Sequence, residues 1–240
     1  FHYLLYLELH PKLVYISNST EVGSVYSKKE LQELYHFCQE NNLYLFVDGA
    51  RLASALTSSK CDLSLEDMAN FTDVFYIGGT KNGALLGEAI VINNLKLDED
   101  FRYHIKQKGG MLAKGRLIGI QFSEMFRDDL FFEMGKHANQ MAEKLANAIS
   151  AKGHYFLTEP SSNQIFPILP NSIAGTLNIA PAISIAIYGM DEVIVRFVNV
   201  DKEERYAPEI IFPISLRAES SISVKSLKLS MDLPSNIFTR

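Results

Sequence analysis

An α/β fold is predicted: a three-layer, mostly parallel sheet with helices on both faces, followed by part of a smaller α/β unit. Three features of the 240 residues predict it. Short β-branched and aromatic runs alternate with stretches of helical spacing that carry capping residues. The order strand, capped helix, strand makes a βαβ unit, whose strands run parallel and are covered by helices. Two runs, FVDGARL (Phe46–Leu52) and DVFYIGGTKNG (Asp73–Gly83), break into glycine just where a charged side chain appears.

In chain order, KLVYIS (Lys12–Ser17) reads as a buried strand running into the polar turn NSTEVG. Ser27-Lys-Lys-Glu30 is a capping box: the serine oxygen satisfies an orphan amide and the glutamate reaches back. Leu31, Leu34, Tyr35 and Cys38 then fall at helical spacing, and Asn41-Asn42 ends the helix. LYLFVD (Leu43–Asp48) is the second strand. Ser64 and Asp67 cap a short helix over SLEDMANFT, DVFYIG is the third strand, and GEAIVIN (Gly87–Asn93) reads as an antiparallel or edge return. KLDEDFRYHIKQKGGM is a helix passing into a loop at its double glycine, and one long apolar helix is expected from Gly115 to about Phe132. In the next amphipathic helix Met134, Ala138, Met141, Leu145 and Ala148 form the packing stripe. HYFLTEP and NQIFPILP are short strands closed by prolines. Beyond Asn171 the pattern weakens, although EVIVRFVNV, with Arg196, reads as a strand.

Composition narrows the function. Hydrophobic residues make up 47% and charged residues 21%, the balance of a soluble globular chain. A net charge of −5 argues against a dedicated nucleic-acid or membrane-surface binder. No apolar run approaches the roughly 18 residues of a membrane span, and FHYLLYLEL lacks the basic start and cleavage site of a signal peptide. Cys38 and Cys61 form neither a CxxC pair nor a metal-ligand spacing, which suits a reducing, cytoplasmic setting and no metal site. The six histidines do not cluster, and no Ser–His–Asp set or nucleotide fingerprint appears.

The two glycine breaks carry the chemistry. Asp48 ends a strand, where open α/β sheets bind ligands. Lys81 follows Gly78-Gly79-Thr80, glycines that admit a ligand to the backbone and a hydroxyl suited to a phosphate. An acid beside a ring nitrogen and an amine that condenses with an aldehyde are the needs of pyridoxal 5'-phosphate (PLP). Arg51 offers a guanidinium fork to a substrate carboxylate. Taken singly, Asp48 also reads as a turn aspartate, GGTK as an ordinary strand-end turn and Arg51 as half of a surface ion pair.

VYISNSTEVGSVYSKKEL, LFVDGARLASA, FYIGGTKNGALLGEAIVI, GGMLAKGRLIGIQF and NQIFPILP, in that order, resemble the low-specificity L-threonine aldolase and β-eliminating lyase family of PLP fold type I. The likeness runs from about Pro11 to Asn171. It implies that Lys81 is the Schiff-base lysine, Asp48 the ring-nitrogen partner and Arg51 a substrate-carboxylate ligand. It also implies that Thr80 and Gly79 lie near the phosphate, and that Ser19 or Thr20 approaches the ring. Lys114 and Arg116 stay open between phosphate or subunit contacts and solvated helix charges.

By the same resemblance residues 1–125 are the C-terminal part of the PLP-binding large domain, 126–171 begin the small domain, and 172–240 depart from the family. The family's glycine-rich phosphate turn, its ring-stacking residue and its N-terminal arm belong to sequence before Pro11, so a fragment is expected. The change after Asn171 suits a frame shift or a divergent tail. The implied reaction splits threonine, or a related β-hydroxy-α-amino acid, into glycine and an aldehyde, in a homodimer or homotetramer. A β-eliminating lyase or aminotransferase is the alternative within the fold type, and a catalytically incomplete chain the alternative outside it. The residues do not name the general base.

Overall fold

The computed structural model describes residues 11–170, 182–188, 192–198 and 210–213. A first sheet has the order β1 (Leu13–Ser17), β2 (Tyr44–Asp48), β3 (Val74–Gly78), β4 (Glu88–Ile92). β1, β2 and β3 are parallel, and β4 returns antiparallel to β3. α1 (Lys28–Glu40) makes the first crossover. α2 (Leu52–Leu56) and α3 (Leu65–Asn70) make the second. The βαβ unit and the antiparallel return are thus as the sequence predicts.

Local chemistry sets the helix ends. Both capping boxes form: Ser27 accepts from the Glu30 amide while Glu30 accepts from the Ser27 amide, and Ser64 and Asp67 do the same. Asn41 caps α1, and Asn42 turns the chain with φ +54°, a conformation asparagine tolerates. Ser27→Ala should destabilise the chain by about 1 kcal/mol, because the orphan amides of α1 lose their acceptor. A urea midpoint unchanged from wild type would refute this.

The core lies on one face of the sheet. Leu45, Val47, Phe75 and Ile77 meet Leu31 and Cys38 of α1, Leu52 and Ala53 of α2, Met68 of α3 and Phe131. The alternate residues Leu13, Tyr15, Phe46, Tyr76 and Ile90 lie outside that core, on the opposite face. The strand expected to be buried is therefore half open: Leu13 is 53% and Tyr15 56% exposed. β1 is, with β4, one of the sheet's two edge strands among the described residues, and the core helices pack on only one of the sheet's faces.

α4 (Phe101–Gln107) passes into a loop at Gly109, as expected. The long apolar helix does not form in one piece. α5 (Arg116–Met125) stops, and α6 (Leu130–Ser150) starts afresh. Asp128 (φ +51°) and Asp129 (φ +61°) take the left-handed conformation between them, which ends a helix and which aspartate adopts more readily than most residues. The break lets Phe126 stack on the fully buried Phe131, ring centroids 4.9 Å apart.

The buried stripe of α6 is Phe131, Gly135, Ala138, Ala142 and Ala146. Of the expected stripe Ala138 is buried, Met134, Met141 and Leu145 are partly buried, and Ala148 is exposed, so the seam is rotated from the expected one. The cause is close packing: at Gly135 an added Cβ would stand 2.5 Å from the Ala53 backbone, so α6 crosses α2 where only glycine fits. Farther along, Ala138, Ala142 and Ala146 pack on Ile165.

A second, antiparallel sheet has the path β10 (Ile210–Pro213), β9 (Glu192–Val198), β8 (Ala182–Tyr188), β7 (Pro167–Ile168), β5 (Tyr155–Phe156), with β6 (Gln164–Ile165) also on β8. The short strands expected before Asn171 are present, and the run holding Arg196 is β9.

Candidate active site

The site forms where β2 and β3 end side by side. Asp48 is the last residue of β2, and Lys81 sits in a 3-10 turn, Thr80–Asn82, just past β3. Three glycines let these ends touch through backbone. The Gly78 amide donates to the Gly49 carbonyl at 2.9 Å. A Cβ on Gly49 would stand 1.9 Å from the Tyr76 carbonyl oxygen, one on Gly78 2.4 Å from that of Ala50, and one on Gly79 2.2 Å from that of Gly87. Asn82, 4% exposed, sews the two turns together by donating to Gly78 O (2.6 Å) and Ala50 O (3.2 Å).

Asp48 accepts from the Ala50 amide at 2.9 Å and from the Tyr76 hydroxyl on Oδ1, and from the Tyr15 hydroxyl on Oδ2. Partial burial pushes its carboxyl up. The hydrogen bonds from Tyr15, Tyr76 and Ala50 and the charge of Lys81 outweigh burial, and the carboxyl lies below its usual range. In return, the bond to Asp48, with burial behind it, raises the Tyr15 phenol to about 12. Burial and then Asp48 raise Tyr76 further.

Lys81 is half-buried, and its charge favours the ionised form of two carboxyls, Asp48 and Glu88, as one influence among several. Glu88 accepts from the Gly79 amide (2.8 Å) and, at longer range, from the Thr80 hydroxyl (3.5 Å). Desolvation raises its carboxyl in spite of the Gly79 amide, Lys81 and Thr80.

The remaining expected residues divide. Ser19 is buried, and its hydroxyl finds no hydrogen-bond partner among the described residues. It is positioned from β1, since the amide of Asn18 donates to the Asp48 carbonyl at 2.9 Å. Thr20 is engaged in its own turn, 2.7 Å from the Ser24 hydroxyl. That turn rests on the segment after β5, where Ser162 donates to Gly23 O and Thr158 to Val22 O, each at 2.8 Å. Arg51 is 6% exposed at the start of α2. Lys114 and Arg116 are exposed.

Sequence reading missed Tyr15, Tyr76, Asn82 and Glu88. The signal for the tyrosines was there: each stands two residues before the end of its strand, on the face that Asp48 shares. Reading it needed the parallel register, Ser17 beside Asp48 and Val47 beside Phe75.

Comparison with known proteins identifies the family. The family model for β-eliminating lyases matches residues 7–171. The low specificity L-threonine aldolase of Pseudomonas aeruginosa is 34% identical over 163 residues, covering 68% of this chain and 45% of that protein. Its counterpart in Saccharomyces cerevisiae is 28% identical over 162 residues, 65% of this chain and 39% of that one. Among solved structures, a threonine aldolase of Leishmania major superposes with a TM-score of 0.68 at 52% identity, covering 70% of this chain and 49% of that chain. The chain thus spans about half the length, or less, of the relatives it matches. With the matched stretch holding both strand-end turns, their glycines, Asp48 and Lys81, the chain belongs to the β-eliminating lyase family.

Proposed function

We propose that this chain carries the cofactor-holding acid and amine of a PLP-dependent lyase that splits threonine, or a related β-hydroxy-α-amino acid, into glycine and an aldehyde. The observation that carries the reading is the joining of the Asp48 turn to the Lys81 turn, through the Gly78 amide on the Gly49 carbonyl and the Asn82 side-chain amide on Ala50 O and Gly78 O. The residues fit such a cofactor. Asp48 is kept anionic, as a cationic ring nitrogen requires, and the buried Ser19 hydroxyl has bonding capacity to spare. When bound, PLP supplies an electron sink for the bond broken at the amino acid's Cα.

The chain's own residues then have separate tasks. The Lys81 amine would hold the aldehyde and, once released, could carry a proton. Asp48 would keep the ring nitrogen's proton in place. Arg51 takes the substrate carboxylate, its fork matched to two oxygens. The Gly79 backbone, which cannot accept a side chain, and the Thr80 hydroxyl, whose bond to Glu88 is long, line the phosphate end. Of Ser19 and Thr20, the one with a hydroxyl to offer the ring is Ser19, since Thr20 bonds to Ser24 in its own turn. The relatives' names support threonine cleavage, and the fold type supports a homodimer or homotetramer.

The assay is direct. The chain is incubated with PLP and L-threonine or L-allo-threonine, and products are measured. Acetaldehyde and glycine in equal amounts are expected. Pyruvate with ammonia would assign β-elimination instead, and transfer of the amino group to an added keto acid would assign an aminotransferase. A second reading, that the chain needs a further polypeptide to turn over, is favoured by the half-open sheet face at Leu13, Tyr15 and Ile90. PLP binding without any product would support it.

A further inference from the structure

Two tyrosines that nothing above assigns to the chemistry meet on the acid. Tyr15 comes from β1 and Tyr76 from β3, so they reach Asp48 from the two strands that flank its own. Their rings are held by a third. Phe46, two residues before Asp48, stacks on Tyr15 (5.5 Å between centroids, planes 9° apart) and leans on Tyr76 (6.2 Å, 50°). The row Tyr15–Phe46–Tyr76 therefore supports both rings on the side of Phe46.

Counting acceptors shows what this does. A carboxylate has roughly four lone-pair positions. On Oδ1 the Ala50 amide and the Tyr76 hydroxyl take two. On Oδ2 the Tyr15 hydroxyl takes one. A further donor fits on Oδ2, and three donors around the group oppose its rotation.

We propose that Tyr15 and Tyr76 are positioning residues: together they clamp the Asp48 carboxylate so that Oδ2 presents its remaining acceptor position to the N–H of a cationic aromatic ring. The identity of that ring as the PLP pyridinium rests on the function proposed above; the clamp itself does not. Both tyrosines bond to Asp48 through their hydroxyls. Their effect passes through Asp48, in a setting that also holds Lys81 and Glu88, with Glu21 near Tyr15.

The test replaces each hydroxyl and keeps each ring. In chain carrying carboxyl-labelled aspartate, NMR follows Asp48, assigned by its loss in Asp48→Asn, as pH falls. Tyr15→Phe and Tyr76→Phe should each move the Asp48 midpoint upward by about half a pH unit or more, and the double variant further, since each removes a donor to the charged form. PLP affinity, read by absorbance titration, should fall about tenfold in each single variant, the scale of one hydrogen bond to a charged group. Thermal melts run alongside, and Tyr155→Phe, at an 80% exposed site, should change neither reading.

An Asp48 midpoint unmoved in both variants overturns the clamp. A raised midpoint with undiminished PLP affinity overturns the orienting role. A raised midpoint in a chain whose wild type takes up no PLP keeps the clamp and overturns the cofactor reading.

Discussion

Lys81→Ala is expected to abolish covalent capture of PLP. After incubation with PLP and reduction with borohydride, the wild-type chain should gain one cofactor mass, located by proteolysis on the peptide that contains Lys81. The variant should gain none at that peptide. The reason is electrostatic as well as positional. Lys81 stands past the end of β3, in the turn that Asn82 fastens to the Asp48 turn, and its charge is felt by Asp48 and Glu88. Lys114 is exposed, and Lys114→Ala should label as the wild type does. A label found on the Lys114 peptide but not on the Lys81 peptide would reassign the amine.

The second large effect is structural. Gly49→Ala should destabilise the fold by about 3 kcal/mol or more, because the new methyl would stand 1.9 Å from the Tyr76 carbonyl oxygen and only backbone can yield. The same displacement parts the two strand ends, so PLP binding should be lost at temperatures where the chain is still folded. Gly119→Ala provides the contrast. Gly119 lies within α5 with open space around the added carbon, and alanine there should stabilise by about 0.5–1 kcal/mol. Equal urea midpoints for wild type and Gly49→Ala would show that the crossing of the two turns is looser than described.

Local chemistry was legible in the chain because it acts over three or four residues. The capping boxes at Ser27 and Ser64, the Asn41-Asn42 stop and the glycine breaks after Asp48 and Ile77 are short-range patterns, and they stand where they were read. Errors arose where side-chain packing, near or far along the chain, decided. Nothing within Gly115–Phe132 reveals that Asp128 and Asp129 turn left-handed; the packing of Phe126 on Phe131 accompanies that choice. The α6 seam is rotated because Gly135 lies against Ala53, more than eighty positions earlier.

The positions of Asp48 and Lys81 at two strand ends could be read from sequence, since a strand that breaks into glycine is a local feature. What surrounds them could not. Tyr15 and Tyr76 reach Asp48 only through the register of three strands, and Asn82 fastens the Asp48 turn to the Lys81 turn only because those strands are parallel neighbours. Residue type determined which groups could do the chemistry. Strand pairing, a contact between residues about thirty apart, decided which hydroxyls hold the carboxylate and in what direction it faces.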